Sequence, residues 1–262
     1  MAGIKIKSED ELKAMRAAGV VAGNVLDEVA AFIKPGVTTR QVDSLAAERI
    51  RTHGGKSAFL GYRKFPCYTC LSVNEAVVHG LATDRELQFG DIVSVDVGVS
   101  YKGFIGDTAR TVVVGGCGVA AQRLLDVTEQ SLNLGIAQAR PGNRVLDISL
   151  AIQQYVEQNG YSVVREFVGH GVGRTMHEEP QVPNFDEGKG RNNSPKLKPG
   201  MTIAIEPMVN AGRPDVKQLK DGWTIVTQDG SLSAHFEHTV LITAGEPEIL
   251  TWARMPFESK LA

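Results

Sequence analysis

The sequence predicts an α+β fold in which one curved antiparallel sheet carries two pairs of helices on its outer face. Three observations predict it. The order helix, Pro-Gly, helix, Gly, strands is written twice, about one hundred residues apart, and 18 positions separate Gly36 from Gly54 and Gly142 from Gly160 alike. Matching order implies duplication and an internal pseudo-twofold, with halves at about 1–115 and 116–262. A hairpin closes the first half, and no linker of the kind that parts domains follows it, so 1–262 reads as one domain.

Each element has a local reason. Ser8 and Glu11 form a capping box ahead of a periodic run (Leu12, Met15, Val20, Val25, Leu26, Val29, Phe32, Ile33). That is a long first helix, stopped by Pro35-Gly36. Thr38 and Gln41 cap a second helix carrying Val42, Leu45, Ala46 and Ile50, which ends at His53-Gly54-Gly55. Short β-rich pieces follow at Ala58–Leu60, Tyr68–Val73 and Val77–His79. In the hairpin, Val93, Val95, Val97 and Val99 alternate with small or polar residues, the period of a strand. A second β-rich arm runs to Val114. After Gly115-Gly116 a helix spans about 119–139, stops at Pro141-Gly142, and a fourth helix runs to Asn159-Gly160. Strand-like segments then pass through Val163, Phe167, Met201–Ile205, Trp223–Val226 and His235–Thr243. Asn184–Pro199 is polar and Gly-rich and reads as a mobile surface loop.

Composition narrows the function classes. Net charge is −2, so no global basic field points to nucleic acid or membrane. No run approaches membrane-span length, and the first residues lack the apolar core of a signal peptide, which makes cytoplasmic the default location. Three cysteines argue against a disulfide framework. Cys67 and Cys70 form a lone C-x-x-C in an extended stretch. Without a second pair they read as buried or pocket-lining thiols.

The chemistry collects on in-strand acids. Asp96 and Asp107 sit one on each hairpin arm, and an even-length loop turns both toward the same face. Two like charges so placed are destabilising unless a cation lies between them. The hairpin alone fits a metal site or, equally, a solvent-facing edge strand with Asp107 opening a turn beside Gly106. Glu206 ends the apolar run Ile203-Ala204-Ile205, and Glu237 lies inside an otherwise apolar strand. A carboxylate there needs a partner, and no basic residue occupies a comparable in-strand position. His170 sits in Gly169-His170-Gly171-Val172-Gly173, where glycines permit close approach. Four carboxylates balance two divalent cations, and one neutral imidazole completes a hard, oxygen-rich set suited to first-row ions.

These residues resemble type I methionine aminopeptidases of the small bacterial kind over essentially the whole chain. The matching stretches are Ser72-Val73-Asn74-Glu75 with Val78-His79-Gly80, Gly90 to Asp96, Gly106 to Arg110, Gly169 to Arg174, His177-Glu178-Glu179-Pro180, Lys198 to Met201 with Ile205-Glu206-Pro207, and Ala234 to Thr239. The resemblance implies the pita-bread fold and a single catalytic metallopeptidase domain with two divalent ions, of Co, Mn, Fe or Zn. By the same resemblance Asp96 chelates one metal, Asp107 and Glu237 bridge both, and His170 and Glu206 bind the other. His79 helps protonate the leaving nitrogen, and His177 bonds the scissile carbonyl oxygen. Glu206 also acts as general base toward an attacking water that bridges the metals. The methionine pocket corresponds to Phe59, Tyr62, Phe65, Cys70, Met176 and Trp223. Many relatives carry a small thiol at position 59, an aromatic at 176, and some a Thr where Gly98 stands. Those swaps bear on pocket shape and on the support of the first Asp.

The implied activity is removal of the initiator methionine from new polypeptides with small second residues. The chain's own Met1-Ala2-Gly3 would qualify. A monomer is the simplest state, with no membrane or nucleic-acid partner, and a transient ribosome contact stays open. Two rivals share the fold. Xaa-Pro peptidases carry an added N-terminal domain and a second His-Gly before Gly-His-Gly, whereas Glu166-Phe167-Val168 stands there in this chain. Non-catalytic peptide-binding modules lose metal ligands, and this chain keeps all five.

Overall fold

The computed structural model describes residues 3–252. The first half runs α1 (Glu9–Phe32), α2 (Thr39–Thr52), β1 (Lys56–Ser57), β2 (Cys70–Val73), β3 (Ala76–Val78), β4 (Ile92–Tyr101) and β5 (Phe104–Val113). The second runs α3 (Val119–Ala137), α4 (Val145–Gln158), β6 (Ser162–Val163), β7 (Gly169–Gly171), β8 (Glu178–Val182), β9 (Thr202–Ile205), β10 (Met208–Asn210), β11 (Val216–Gln218), β12 (Ile225–Thr227), β13 (Ser233–His235), β14 (Glu237–Leu241) and β15 (Glu248–Ile249). Met1 and Ala2, read above as a substrate-like start, lie outside the described residues.

Both predicted capping boxes form. Ser8 Oγ accepts from Glu11 N, and the Glu11 carboxylate accepts from Ser8 N at 3.0 Å. Thr38 and Gln41 repeat the exchange. Helix ends fall at the predicted Pro-Gly and Gly stops. The hairpin closes on Lys102 and Gly103, both at positive φ, which matches the right-handed twist of the arms.

The main sheet has nine antiparallel strands in the order β1-β4-β5-β14-β9-β7-β8, with β2 beside β4 and β15 beside β14. The halves meet where β5 pairs with β14, Ala109 opposite Glu237. Val93, Val95, Val97 and Val99 face α1 and α2 and are fully buried among Val25, Val29, Val42 and Ile50. Strand alternation therefore turns Ser94, Asp96 and Gly98 to the opposite, concave face. The second half packs α3 and α4 likewise, with Leu124, Ile148 and Ile152 against Ile203 and Ile205.

Four expectations need correction. The strands do not all join one sheet: two three-stranded sheets, β13-β10-β6 and β11-β12-β3, flank the large one. Pro207 has no N–H to extend β9, and the chain turns there into β10. Ala58–Leu60 is not a strand, because Ser57 Oγ accepts from Phe59 N and Leu60 N and ends β1. Glu178–Val182 forms a strand paired with β7. The 184–199 segment is anchored rather than loose. Asn184 and Leu197 are buried, Ser194 Oγ accepts from Leu146 N at 2.8 Å, and Arg191 pairs with Asp147. A basic residue does stand within an apolar strand beside the acids, Arg110 on β5, but it points away from Asp107 and pairs with Asp27 at 2.7 Å.

Helix α1 lies close on the hairpin because Gly106 is bare. A Cβ there would come within 2.5 Å of the Ala18 carbonyl oxygen. Gly106→Ala is expected to destabilise the protein by about 1–3 kcal/mol through overpacking, measured as a lowered denaturation midpoint.

Candidate metal centre and active site

Strand register brings the acids together. Asp96 on β4 lies opposite Ala109 on β5, and Ala109 lies opposite Glu237 on β14. Asp107 lies opposite Gly98, two residues along the same face, so the hairpin acids are diagonal neighbours. Glu206 follows Ile205, whose partner His238 follows Glu237. His170 enters from β7, paired with Ala204. Thr239 pins the seam: its hydroxyl accepts from Asp107 N at 3.1 Å and donates to Asp107 O at 2.8 Å.

The ring of His170 is oriented by its own strand. Nδ1 lies 2.9 Å from the Gly171 carbonyl oxygen, which can only accept, so Nδ1 carries the proton and Nε2 is the free donor atom. Nε2 stands 3.6 Å from Asp107 Oδ2 and 3.5 Å from Glu206 Oε1. Donor atoms of Asp107, His170 and Glu237 all lie within 4.8 Å of one another.

Burial sets the electrostatics. It pushes Asp96 up to about 7 and Glu206 up to about 8, and holds Asp107 and Glu237 well above the carboxylate range, with neighbouring acids adding repulsion. It lowers His170 to about 4, which keeps the imidazole neutral. Asp96 Oδ1, Asp107 Oδ1 and Glu237 Oε1 are buried without a hydrogen-bond partner among the described residues. Orphaned acceptors converging beside a neutral imidazole fit a divalent cation and fit no side-chain cation within reach.

A cavity of about 240 Å³ opens on this centre, and all thirteen residues predicted for the site line it. His79 follows β3 at φ 59, a left-handed position that aims its ring inward against Phe167, 5.3 Å between centroids. Burial lowers it to about 4. His177 stacks on Tyr62, whose hydroxyl lies 2.8 Å from Nδ1, and its ring is 4.2 Å from that of His170. Phe59, Phe65 and Trp223 form an edge-to-face chain, with centroid spacings of 6.4 and 5.0 Å. Cys70 lies opposite Asp96, and burial pushes its thiol up, which keeps it protonated beside that carboxylate. Cys67 is buried but does not line the cavity.

The departures at 59 and 98 are one feature. A Cβ on Gly98 would lie 2.5 Å from the Phe59 ring, so the ring occupies the space that a side chain at 98 would take.

Sequence reasoning missed His235. It is 2% exposed, its Nε2 is unpartnered, and it stands 3.6 Å from Glu206 Oε2. Its place two residues before Glu237 was the available signal. Arg63, Val78, Phe167, Val168 and Met208 also line the cavity, and only the folded loops reveal that.

This fold and donor set point to a metal-dependent enzyme. The model of metallopeptidase family M24 matches residues 13–244, and the chain belongs to that family. Methionine aminopeptidase of Clostridium perfringens is 51% identical over 249 residues, covering 95% of this chain and 98% of that protein. The crystal structure of methionine aminopeptidase from Rickettsia prowazekii matches at TM-score 0.92 and 42% identity, over 95% of this chain and 100% of that one. Prolidase from Pyrococcus furiosus shares the pita-bread fold at TM-score 0.77 and 24% identity, with 66% of its chain covered.

Acids held above their ordinary pKa retain protons near neutrality, and a cation must displace them. Metal affinity is therefore expected to rise with pH through the window of about 7 to about 8 set by Asp96 and Glu206. Calorimetry of the metal-free protein titrated with Mn²⁺ in buffers of different ionisation heat should show proton release. A pH-independent affinity with no proton release would mean that these acids are already ionised.

Proposed function

We propose that this chain removes N-terminal methionine from new polypeptides whose second residue is small, residues 1–262 acting as one catalytic domain. The observation that carries this reading is the convergence of five potential ligands, three further imidazoles and an apolar pocket on a single cavity. The close relatives named methionine aminopeptidase support the same activity.

Asp96, Asp107, His170, Glu206 and Glu237 would hold two divalent ions, with Asp107 and Glu237 shared. When bound, such ions polarise a carbonyl and lower the pKa of water. The chain's own groups do the rest. Glu206, raised by burial and close to His235, accepts the proton of the attacking water. His177 bonds the scissile carbonyl oxygen as charge develops on it. His79 faces the leaving nitrogen and helps protonate it. The unbranched thioether fits the wall made by Phe59, Tyr62, Phe65, Cys70, Met176 and Trp223. Substrates that are nascent chains place the enzyme in the cytoplasm, acting as a monomer with transient ribosome contact.

Metal-reconstituted enzyme offered Met-Ala-Ser and an Ala-Pro peptide side by side should cleave the first. Cleavage of the Pro peptide alone would overturn the reading in favour of an Xaa-Pro peptidase. Tight binding of either without cleavage would favour a binding module. His177→Ala is expected to lower kcat by roughly 10²–10³, the usual loss for one oxyanion donor, with metal content unchanged by elemental analysis. Asp107→Ala should lose both ions. Full activity with two ions in that variant would remove Asp107 from the centre.

A further inference from the structure

His177 stands at the end of a short loop, 173–177, whose shape is set by the next residue. The Glu178 carboxylate folds back beneath this loop. Its Oε1 accepts from Arg174 N at 3.2 Å, from Thr175 N at 3.4 Å and from Thr175 Oγ1 at 3.4 Å. Gly173 must be bare for this: a Cβ there would lie 2.7 Å from Oε1. The Glu178 side chain is only 3% exposed, so its charge needs a buried partner.

That partner comes from far away in the sequence, ahead of α1. Lys7, 5% exposed at its side chain, places Nζ 3.0 Å from Glu178 Oε2, and Lys5 adds a second, exposed contact at 3.3 Å. Burial works against the charged form, yet bonding to Lys7 and Lys5 holds the Glu178 carboxyl below its ordinary range. The arm carrying these lysines is itself seated, with Lys7 N donating to Gly200 O at 2.9 Å. The remaining charges at this face, Glu11 and Arg174, pair with each other at 3.3 Å. On its other side the loop is tied to the hairpin: Ile105 N donates to Gly173 O at 2.8 Å, two residues before Asp107.

We propose that the buried Lys7–Glu178 pair is a positioning device for His177, through which the N-terminal arm fixes the imidazole relative to the metal centre. Without Lys7 the carboxylate loses its one buried cation and keeps only the exposed Lys5 contact. It then swings toward solvent or takes up a proton, and either change releases the loop donors that define the 173–177 conformation. Lys7 and Glu178 touch no substrate in this scheme. The proposal rests on the preceding reading only in giving His177 a role in turnover.

The test combines kinetics with a signal that needs no turnover. Lys7→Met should lower kcat on Met-Ala-Ser about 10- to 100-fold, the scale of a misplaced group, with KM and metal content little changed. Lys7→Arg should restore most of it. In a His177→Ala background, Lys7→Met should cost nothing further. An equal cost there would mean that the arm supports the fold in general, and would overturn the proposal. Should Lys7→Met fail to fold, Glu178→Gln keeps the side-chain shape and is expected to show the same non-additivity. In protein labelled with ¹⁵N-histidine, the His177 ring signal should shift and broaden in Lys7→Met or Glu178→Gln but not in Lys7→Arg. An unchanged signal would overturn the proposal even if wild-type enzyme proved inactive on Met-Ala-Ser, an outcome that defeats the substrate reading alone.

Discussion

Four carboxylates facing one another, two of them almost wholly buried, cannot all be ionised without a cation among them. Most features of this structure follow from building such a cluster and holding it in place. Burial raises each acid by removing water, and neighbouring acids raise Asp96, Asp107 and Glu237 further. The cluster is thus a strained arrangement in the bare protein, which a divalent ion would relieve. Rigidity is what makes the site selective for geometry, because acids free to swing apart would relieve their repulsion instead of binding metal.

The frame supplies that rigidity through ordinary rules. A period of two on β4 sends valines to the helices and Asp96 to the concave face. Gly106 lets α1 press against the hairpin, and Thr239 stitches β14 to the backbone of Asp107. The imidazoles obey the same logic. His170 is locked by its own carbonyl neighbour, His177 by Tyr62, and His79 by a left-handed backbone position.

Much of this was legible in the sequence, and the reasons are physical. Caps, Pro-Gly stops and alternation are local signals, so helices, hairpin and the face of Asp96 and Asp107 could be read directly. Acids inside apolar strands carry a desolvation cost that marks them without any knowledge of the fold. The resemblance to the aminopeptidases then supplied His79, His177 and the pocket, which no local signal distinguishes. What escaped was set by tertiary packing. His235 looks like any core histidine until Glu206 is placed beside it. Pro207 diverts the chain into a second sheet that the strand pattern alone does not separate from the first. The Phe59 ring over Gly98 is a compensation between positions 39 residues apart in number but in contact in space.

The seam between β5 and β14 decides where the cluster can exist at all. The acids that face the cavity are spread from Asp96 to Glu237 and come from both halves. The first half alone presents two of them, and its β5 then has β4 on one edge and nothing on the other. Neither half holds the cluster by itself. A change that parts β5 from β14 costs the site and the continuity of the sheet together.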